Sequence, residues 1–324
     1  MRMAFGAVAV AWTLALAPDL FELFGEQGAV ASPSWDYRWS VLEVLNTNQA
    51  LVAVWISLLL SALALTVGWH SRVAAVIVFI LMQSFINRGR AVFNAGDVLL
   101  SIEALFIALS ACGAAISLDQ RRRVRSFWSA QVRAPWAIRL LQIQLSLIYL
   151  ATVQEKLTGE TWLRGTAVSF AWRADQQWAI LPAPDWIANN AMLVNVASWA
   201  TLVIELAIAV LVWNSRWRPW VLSLGVLLHL AILVNLNVGF FSFAVFILYL
   251  AFVPYDTVRR LPETVRRQCG DIVGTLHALR ARRADPSIAQ PVAPTAEKVV
   301  GELNGINEDG LDVAVRSDAR SSLS

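Results

Sequence analysis

The chain has 324 residues, of which 57% are hydrophobic and 15% charged, and its mean hydropathy is +0.57. Soluble domains carry about 45–50% apolar and about 25% charged residues, so this composition excludes an ordinary water-soluble protein. The formal net charge of +3 is small, so the positions of the charged residues matter more than their sum. We predict no nucleic-acid partner. Fifteen tryptophans agree with a membrane protein, because tryptophan concentrates at membrane interfaces.

Apolar runs predict about eight membrane-spanning helices, since each run is near the ~20 residues that a bilayer requires. The predicted spans are residues 4–24, 49–68, 73–87, 96–117, 136–155, 191–213, 219–237 and 239–254. The fold class is therefore all-α, a polytopic transmembrane bundle. The first run also resembles a signal peptide, but Pro18 directly follows its small-residue site, which favours a retained first span.

The arginines predict how the bundle is oriented. Arg2, Arg72, the cluster Arg121–Arg125 and the arginines after residue 255 all fall on one side once the spans are threaded through the membrane. Basic residues favour the cytoplasmic side, so we predict a multi-pass protein of the cell membrane with both termini in the cytoplasm. The segment that follows Lys156 then faces outward.

The chain changes character after residue 255. Between residues 262 and 283, apolar residues recur at spacings of four and three, and arginines fill the opposite face. This pattern predicts an amphipathic helix that lies on the inner leaflet or packs on the inner loops of the bundle. The sequence after it is polar and unpatterned, which is typical of disorder. The predicted domains are residues 1–255, 256–283 and 284–324.

Lys156 stands out because it is one of only two lysines in a chain that otherwise uses arginine. It follows directly on an apolar run, near the predicted outer surface. A buried lysine can lose its proton and act as a base, whereas arginine stays charged. The structural alternative is a lysine at a helix end whose ammonium group reaches the membrane surface. The residue type alone leaves both open.

Ionisable residues inside predicted spans are costly in a bilayer and usually face the interior of the bundle. Glu103, Glu205 and His229 are three such residues. A structural and a functional role are both open for Glu205 and His229. Arg88 and Asp97 flank the predicted outer end of the fourth span, and we expect them to form an ion pair there.

Several sequence blocks occur in a defined order along the first 255 residues. They are Asn87–Asp97, Ile116–Asp119, Pro135–Tyr149, Lys156–Ala167, His229–Ile232, Phe240–Phe241 and Phe252–Pro254. Together they resemble the HTTM (horizontally transferred transmembrane domain) proteins, which are relatives of the membrane part of vitamin K-dependent gamma-carboxylase.

The resemblance implies a base and a quinol pocket. Lys156 precedes a Leu and a Trp as the carboxylase base does, so it would deprotonate a reduced naphthoquinone of the vitamin K type, with oxygen and carbon dioxide as co-substrates. His229 would serve as a proton relay or bond a quinone oxygen. No metal is implied. Further candidates for the pocket are Trp162, Gly165, Tyr149, Gln142, Glu205 and Asn235; interhelical hydrogen bonding is the alternative role of Gln142 and Asn235.

Two departures from the carboxylase leave the activity open. Glu155 stands where the animal enzyme has a second lysine, and a carboxylate there would favour the charged form of Lys156. The chain has about 70 residues after the bundle, so the large exported domain that docks a protein substrate is not expected. Quinol binding is less affected by these departures.

The other reading is a non-catalytic membrane partner. HTTM-like proteins of the sporulation-delaying-toxin type help to mature or export a small peptide, which would bind at the outer face. A transporter is less well supported, since internal repeats are not evident. In each reading the bundle contacts the lipid bilayer.

Overall fold

The structure is a computed structural model that describes residues 1–30, 39–127, 134–174 and 179–254, together with Thr257. All regular elements within these ranges are helical, which confirms the all-α class. The helices are α1 Arg2–Ala15, α2 Leu20–Phe24, α3 Val41–Val44, α4 Asn48–Val67, α5 Ser71–Arg88, α6 Ala95–Leu109, α7 Leu118–Val124, α8 Trp136–Thr158, α9 Glu160–Leu163, α10 Ala167–Ala174, α11 Asp185–Ala188, α12 Ala191–Leu211, α13 Arg218–Asn235 and α14 Phe241–Tyr249.

A 3-10 turn, Leu250–Phe252, extends α14. Residues 1–253 form one unit, and the second unit, residues 254–324, lies almost entirely outside the described residues. The amphipathic helix predicted at 262–283 and the disorder predicted after it fall in that second unit, so both stay predictions.

Five helices are long and apolar enough to cross a membrane: α4, α5, α8, α12 and α13. The eight full-length spans that the sequence predicts are therefore not confirmed. The first predicted span is interrupted, because α1 ends at Ala15, just before Pro18, and proline disfavours helical backbone in the residue that precedes it. The fourth ends early, at Leu109, and the eighth is reduced to α14 and its 3-10 turn.

The helices of residues 1–253 pack as two neighbouring groups. α1, α4, α5 and α6 contact one another in sequence order, and α8, α12 and α13 do the same. α14 contacts α1 and α6 of the first group and α8 and α13 of the second. Apolar side chains of both groups and of α14 belong to one continuous core, and α14 adds to the direct contact between α6 and α8 in joining the two groups.

At one end of the bundle, Arg2 and Asp119 bond the ends of other helices. The Arg2 guanidinium donates to the carbonyls of Leu65 and Thr66, the latter at 2.9 Å, and so satisfies the last turn of α4. The Asp119 carboxylate accepts from the amides of His70 and Ser71, each at 2.8 Å, and so caps the start of α5.

At the opposite end, Arg88 and Asp97 bond different groups rather than forming the predicted ion pair. Arg88 donates to the carbonyl of Leu42 at 2.7 Å. Asp97 accepts from the Trp12 indole and from the Asn94 amide, both at 2.7 Å. The physical reason is the position of Asp97 in the first turn of α6, where its carboxylate completes a capping box with Asn94.

Candidate functional site

Lys156 and Glu205 form an ion pair inside the bundle. Lys156 lies in the last turn of α8, and its Nζ contacts Oε1 of Glu205 on α12. Their side chains are 21% and 8% exposed, respectively. The Thr152 hydroxyl, which lies 3.1 Å from the Tyr149 carbonyl, is also 3.3 Å from the other carboxylate oxygen. Each oxygen of Glu205 therefore has a polar neighbour, and one of them contacts the Lys156 ammonium group.

Trp162, on the short helix α9, packs against the Lys156 side of this pair. The Lys156 Nζ lies 5.0 Å from the centre of the Trp162 ring, a cation–π contact. The carboxylate and the face of the ring both attract a cation. The position of Lys156 thus combines an ion pair with an aromatic contact.

Two tyrosines and a histidine form a second polar cluster. The Tyr149 hydroxyl lies 2.8 Å from Nε2 of His229, and it also hydrogen-bonds the Tyr249 hydroxyl. All three side chains are buried. They come from α8, α13 and α14, so this cluster connects three helices.

The other ring nitrogen of His229 is buried and has no hydrogen-bond partner within the described part of the chain. The imidazole is surrounded by aromatic rings, including Phe241 at 5.5 Å and Phe246 at 6.2 Å between ring centres. Buried side-chain nitrogens are normally hydrogen-bonded. Nδ1 of His229 is therefore a buried polar atom whose hydrogen-bonding capacity the described residues do not meet.

The two clusters lie along one stripe of α8. Tyr149, Thr152 and Lys156 are three and four residues apart, which places them on the same face of the helix. Tyr149 bonds His229, and Thr152 and Lys156 bond Glu205, so the two clusters are neighbours along α8 and make up one candidate site.

The segment from α9 to α10 packs against the first half of α12 beside this site. Gly165 lies in its turn with φ +67°, and a Cβ there would overlap the Asn195 amide and come 3.2 Å from the Trp199 indole nitrogen. The Arg164 carbonyl accepts from Asn195 at 3.4 Å. Gly165 is therefore needed for close packing of this segment.

Two further candidates have hydrogen bonds typical of helix packing. Gln142 donates to the Ala251 carbonyl at 2.7 Å and so ties α8 to the turn after α14. Asn235 donates to the Ala231 carbonyl of its own helix at 2.9 Å. The structure thus brings together Lys156, Glu205, Trp162, Tyr149 and His229, and gives Gln142 and Asn235 local partners elsewhere.

Comparison with known proteins gives a match to the HTTM domain over residues 1–256. The chain belongs to the HTTM family. The family predicted from the sequence blocks is thereby confirmed, and a relation to the membrane domain of gamma-carboxylase is consistent with it. Searches of curated proteins and of solved structures return no match. With five long apolar helices, this HTTM protein is an integral membrane protein.

Sequence reasoning missed two members of the candidate site. Tyr249 lies within an apolar run rich in phenylalanine, where a tyrosine is easily taken for one more core aromatic. Thr152 lies midway between Tyr149 and Lys156. Its position one turn of helix from each was the available signal, because residues three and four apart share a face. Together these side chains offer one carboxylate, one ammonium group, three hydroxyls and one imidazole within the helical bundle.

Proposed function

We propose that this HTTM protein is a membrane enzyme of the gamma-carboxylase-like type, in which the Lys156–Glu205 pair takes a proton from a membrane quinol at the predicted outer side. The single observation that carries the proposal is the burial of this pair beside His229. Ionisable groups within a membrane bundle are costly, and they commonly mark proton or substrate pathways. A purely structural bundle does not require them.

The pair acts as one proton acceptor. In the ion-paired form the carboxylate of Glu205 is ionised and Lys156 is an ammonium group, so the pair is neutral overall. A proton that leaves a quinol oxygen would be accepted by the carboxylate of Glu205. Lys156 then remains a cation beside the oxygen that lost the proton, and its positive charge stabilises the negative charge left there.

Nδ1 of His229 supports the quinol as the ligand. This nitrogen is buried, and no hydrogen-bond partner is present for it in the described ranges. The aromatic rings around it match an apolar ring system that carries a polar oxygen. When bound, a quinol would supply the reducing equivalents for oxygen chemistry, with carbon dioxide as the further substrate that the family relation suggests.

Tyr149 orients the imidazole in this proposal. Its hydroxyl bonds Nε2 of His229, so Nδ1 is the nitrogen that can face a ligand. The second hydroxyl, of Tyr249, holds Tyr149 in place. This Tyr249–Tyr149–His229 chain can also pass a proton between its hydroxyls and the ring.

The alternative is a non-catalytic partner in the maturation or export of a small peptide. The segment after Lys156 exposes large apolar side chains, among them Phe170, Ile180 and Trp186. Such side chains suit contact with an apolar peptide as well as with lipid. In this reading the Lys156–Glu205 pair only fixes α8 to α12.

The test is oxygen-dependent consumption of a reduced naphthoquinone by purified protein in lipid nanodiscs. Activity in the wild type should be lost in Glu205→Gln, which removes the proton acceptor, and strongly reduced in Lys156→Ala. Arg164→Gln is the matched control, because Arg164 pairs with Glu160 at the surface of the same segment, and it should retain full activity. Full activity in Glu205→Gln would exclude the proposed role, and an inactive wild type would favour the peptide partner.

A further inference from the structure

A cavity of about 330 Å³ lies at the end of the bundle where α5 begins. The turn that follows α6 runs past the first residues of α5 and leads into α7, and the cavity lies among these three segments. Its polar and charged lining includes Arg72, Ser110, Cys112, Asp119 and Arg123. None of these residues belongs to the Lys156–Glu205 site.

Two guanidinium groups line this cavity, one from α5 and one from α7. Among the described residues, the guanidinium groups of Arg72 and Arg123 have no hydrogen-bond or ion-pair partner. Both residues are exposed. Arginine is the side chain best suited to bidentate bonding of phosphate oxygens. The N–H donors of these two guanidinium groups are therefore available to bond an anion.

Asp119 is the one carboxylate in the lining, and its oxygens are already bonded. One accepts from the His70 amide, and the other from the Ser71 amide and hydroxyl, the latter at 2.7 Å. Its charge is thus directed at the start of α5. Arg2, which lies close enough to act electrostatically on Asp119, adds a further positive charge at this end.

Backbone amides contribute as well. α5 has 18 residues, and the amides of its first turn have no carbonyl partner within the helix. Asp119 bonds those of His70 and Ser71, which leaves the Arg72 and Val73 amides at the same helix end. The positive end of a helix dipole favours an anion at such a position.

We propose that this cavity binds a phosphate group through Arg72 and Arg123. The source is either the headgroup of an anionic membrane lipid or free phosphate. The location favours a lipid, because α5 is one of the helices long enough to cross a bilayer and the cavity lies at its first turn. The proposal is independent of the activity assigned to Lys156 and Glu205.

The experiment compares purified full-length protein in nanodiscs of phosphatidylcholine alone and of phosphatidylcholine with phosphatidylglycerol. Native mass spectrometry counts the retained phosphatidylglycerol, and thermal unfolding reports its stabilising effect. Arg72→Gln and Arg123→Gln should each weaken retention roughly tenfold, the loss expected for one charge-assisted hydrogen bond. Arg122→Gln is the matched control, since Arg122 is a neighbouring exposed arginine on α7 that does not line the cavity.

A second arm distinguishes the two sources. Millimolar inorganic phosphate is added to protein in phosphatidylcholine alone, with chloride at equal ionic strength as the reference. Stabilisation by phosphate that requires Arg72 and Arg123 would support the site with a free anion as its ligand. An equal loss of lipid in Arg122→Gln would reduce the effect to general surface charge and overturn the proposal. So would unchanged behaviour of both cavity variants, or a wild type that responds to neither ligand.

Discussion

Lys156 of α8 contacts Glu205 of α12, and the carboxylate lies well below the start of its own helix. Fourteen residues separate Glu205 from Ala191, which corresponds to about 21 Å of helix. The pair is therefore set deep along α12, beneath the segment of α9 and α10 that packs on the first half of that helix. Glu205 is 8% exposed at this position, whereas Lys156, in the last turn of α8, is 21% exposed.

Removing one member of this pair should destabilise the bundle. Lys156→Ala leaves the Glu205 carboxylate without its counter-ion, and we expect a loss of about 2–3 kcal/mol in the free energy of unfolding, somewhat below that of a fully buried pair. Lys156→Met combined with Glu205→Leu should recover most of it. The control is Arg164→Ala, whose pair with Glu160 is 71% and 74% exposed and should contribute less than about 1 kcal/mol. Equal, small effects from both pairs would contradict the burial argument.

Substitution of Gly165 should have a much larger effect than substitution of Gly159. Gly165 has φ +67°, and an added Cβ would collide with Asn195, whereas a Cβ at Gly159 would make only ordinary contacts at 3.4 Å. We expect Gly165→Ala to cost at least about 1–3 kcal/mol through backbone strain alone. Thermal unfolding of the two variants measures the difference. Similar melting temperatures would mean that the α9–α10 segment does not depend on this turn.

Glu103 should be dispensable for stability. Its carboxyl group is buried, and both oxygens are without a hydrogen-bond partner among the described residues. Removing an unpartnered polar group from the interior avoids its desolvation cost, so Glu103→Leu should raise stability by about 1–3 kcal/mol. Ser101→Ala is a suitable control, since the Ser101 hydroxyl bonds Gln83 at 2.6 Å and its loss should be destabilising. A less stable Glu103→Leu would indicate that the carboxyl group bonds a water molecule or an ion.

Asp119 should make stability dependent on acid pH. Partial burial raises the pKa of Asp119, but hydrogen bonds from Ser71 and His70 outweigh it, so the pKa lies below its ordinary value of 3.8. A carboxyl group with a lowered folded-state pKa contributes stability above its unfolded value, and this contribution is lost as the pH falls below 3.8. Asp119→Asn should cost about 1 kcal/mol at pH 7 and progressively less as the pH falls below 3.8. A constant difference across this range would contradict the assignment.

Labelling can test the predicted orientation. On a background without Cys112 and Cys269, a cysteine introduced by Gly159→Cys should react with an impermeant maleimide in intact cells, and one introduced by Arg123→Cys should not. Both positions lie close to the ends of helices, so accessibility depends mainly on the side of the membrane. The reverse labelling pattern would place the Lys156 segment in the cytoplasm.

The unusual residue was predictable, but its partner was not. Lys156 stood out because the chain otherwise uses arginine. Its neighbour Glu155 was the obvious carboxylate, yet consecutive residues point about 100° apart on a helix, and Glu155 is exposed. The actual partner is 49 positions away. That contact depends on how α8 and α12 rotate and slide against each other, which no local pattern determines.

Helix existence was better predicted than helix length. Apolar runs located the cores of the main helices, because hydrophobic segments of this length must leave water. They overestimated α6, which ends at Leu109, and α14, which has nine residues. A run that is apolar on all sides gives no sign of where the helix stops and a buried turn begins.

The position of α14 has a consequence for how the protein is made. This helix supplies Tyr249 and contacts both helix groups, yet it is the last part of residues 1–253 to leave the ribosome. Until it inserts, the hydroxyl of Tyr149 lacks one of its partners, and the two groups lack the contacts that α14 adds to the direct one between α6 and α8. A chain that stops near residue 240 should therefore enter the membrane with an incomplete interior, and cellular quality control should remove it.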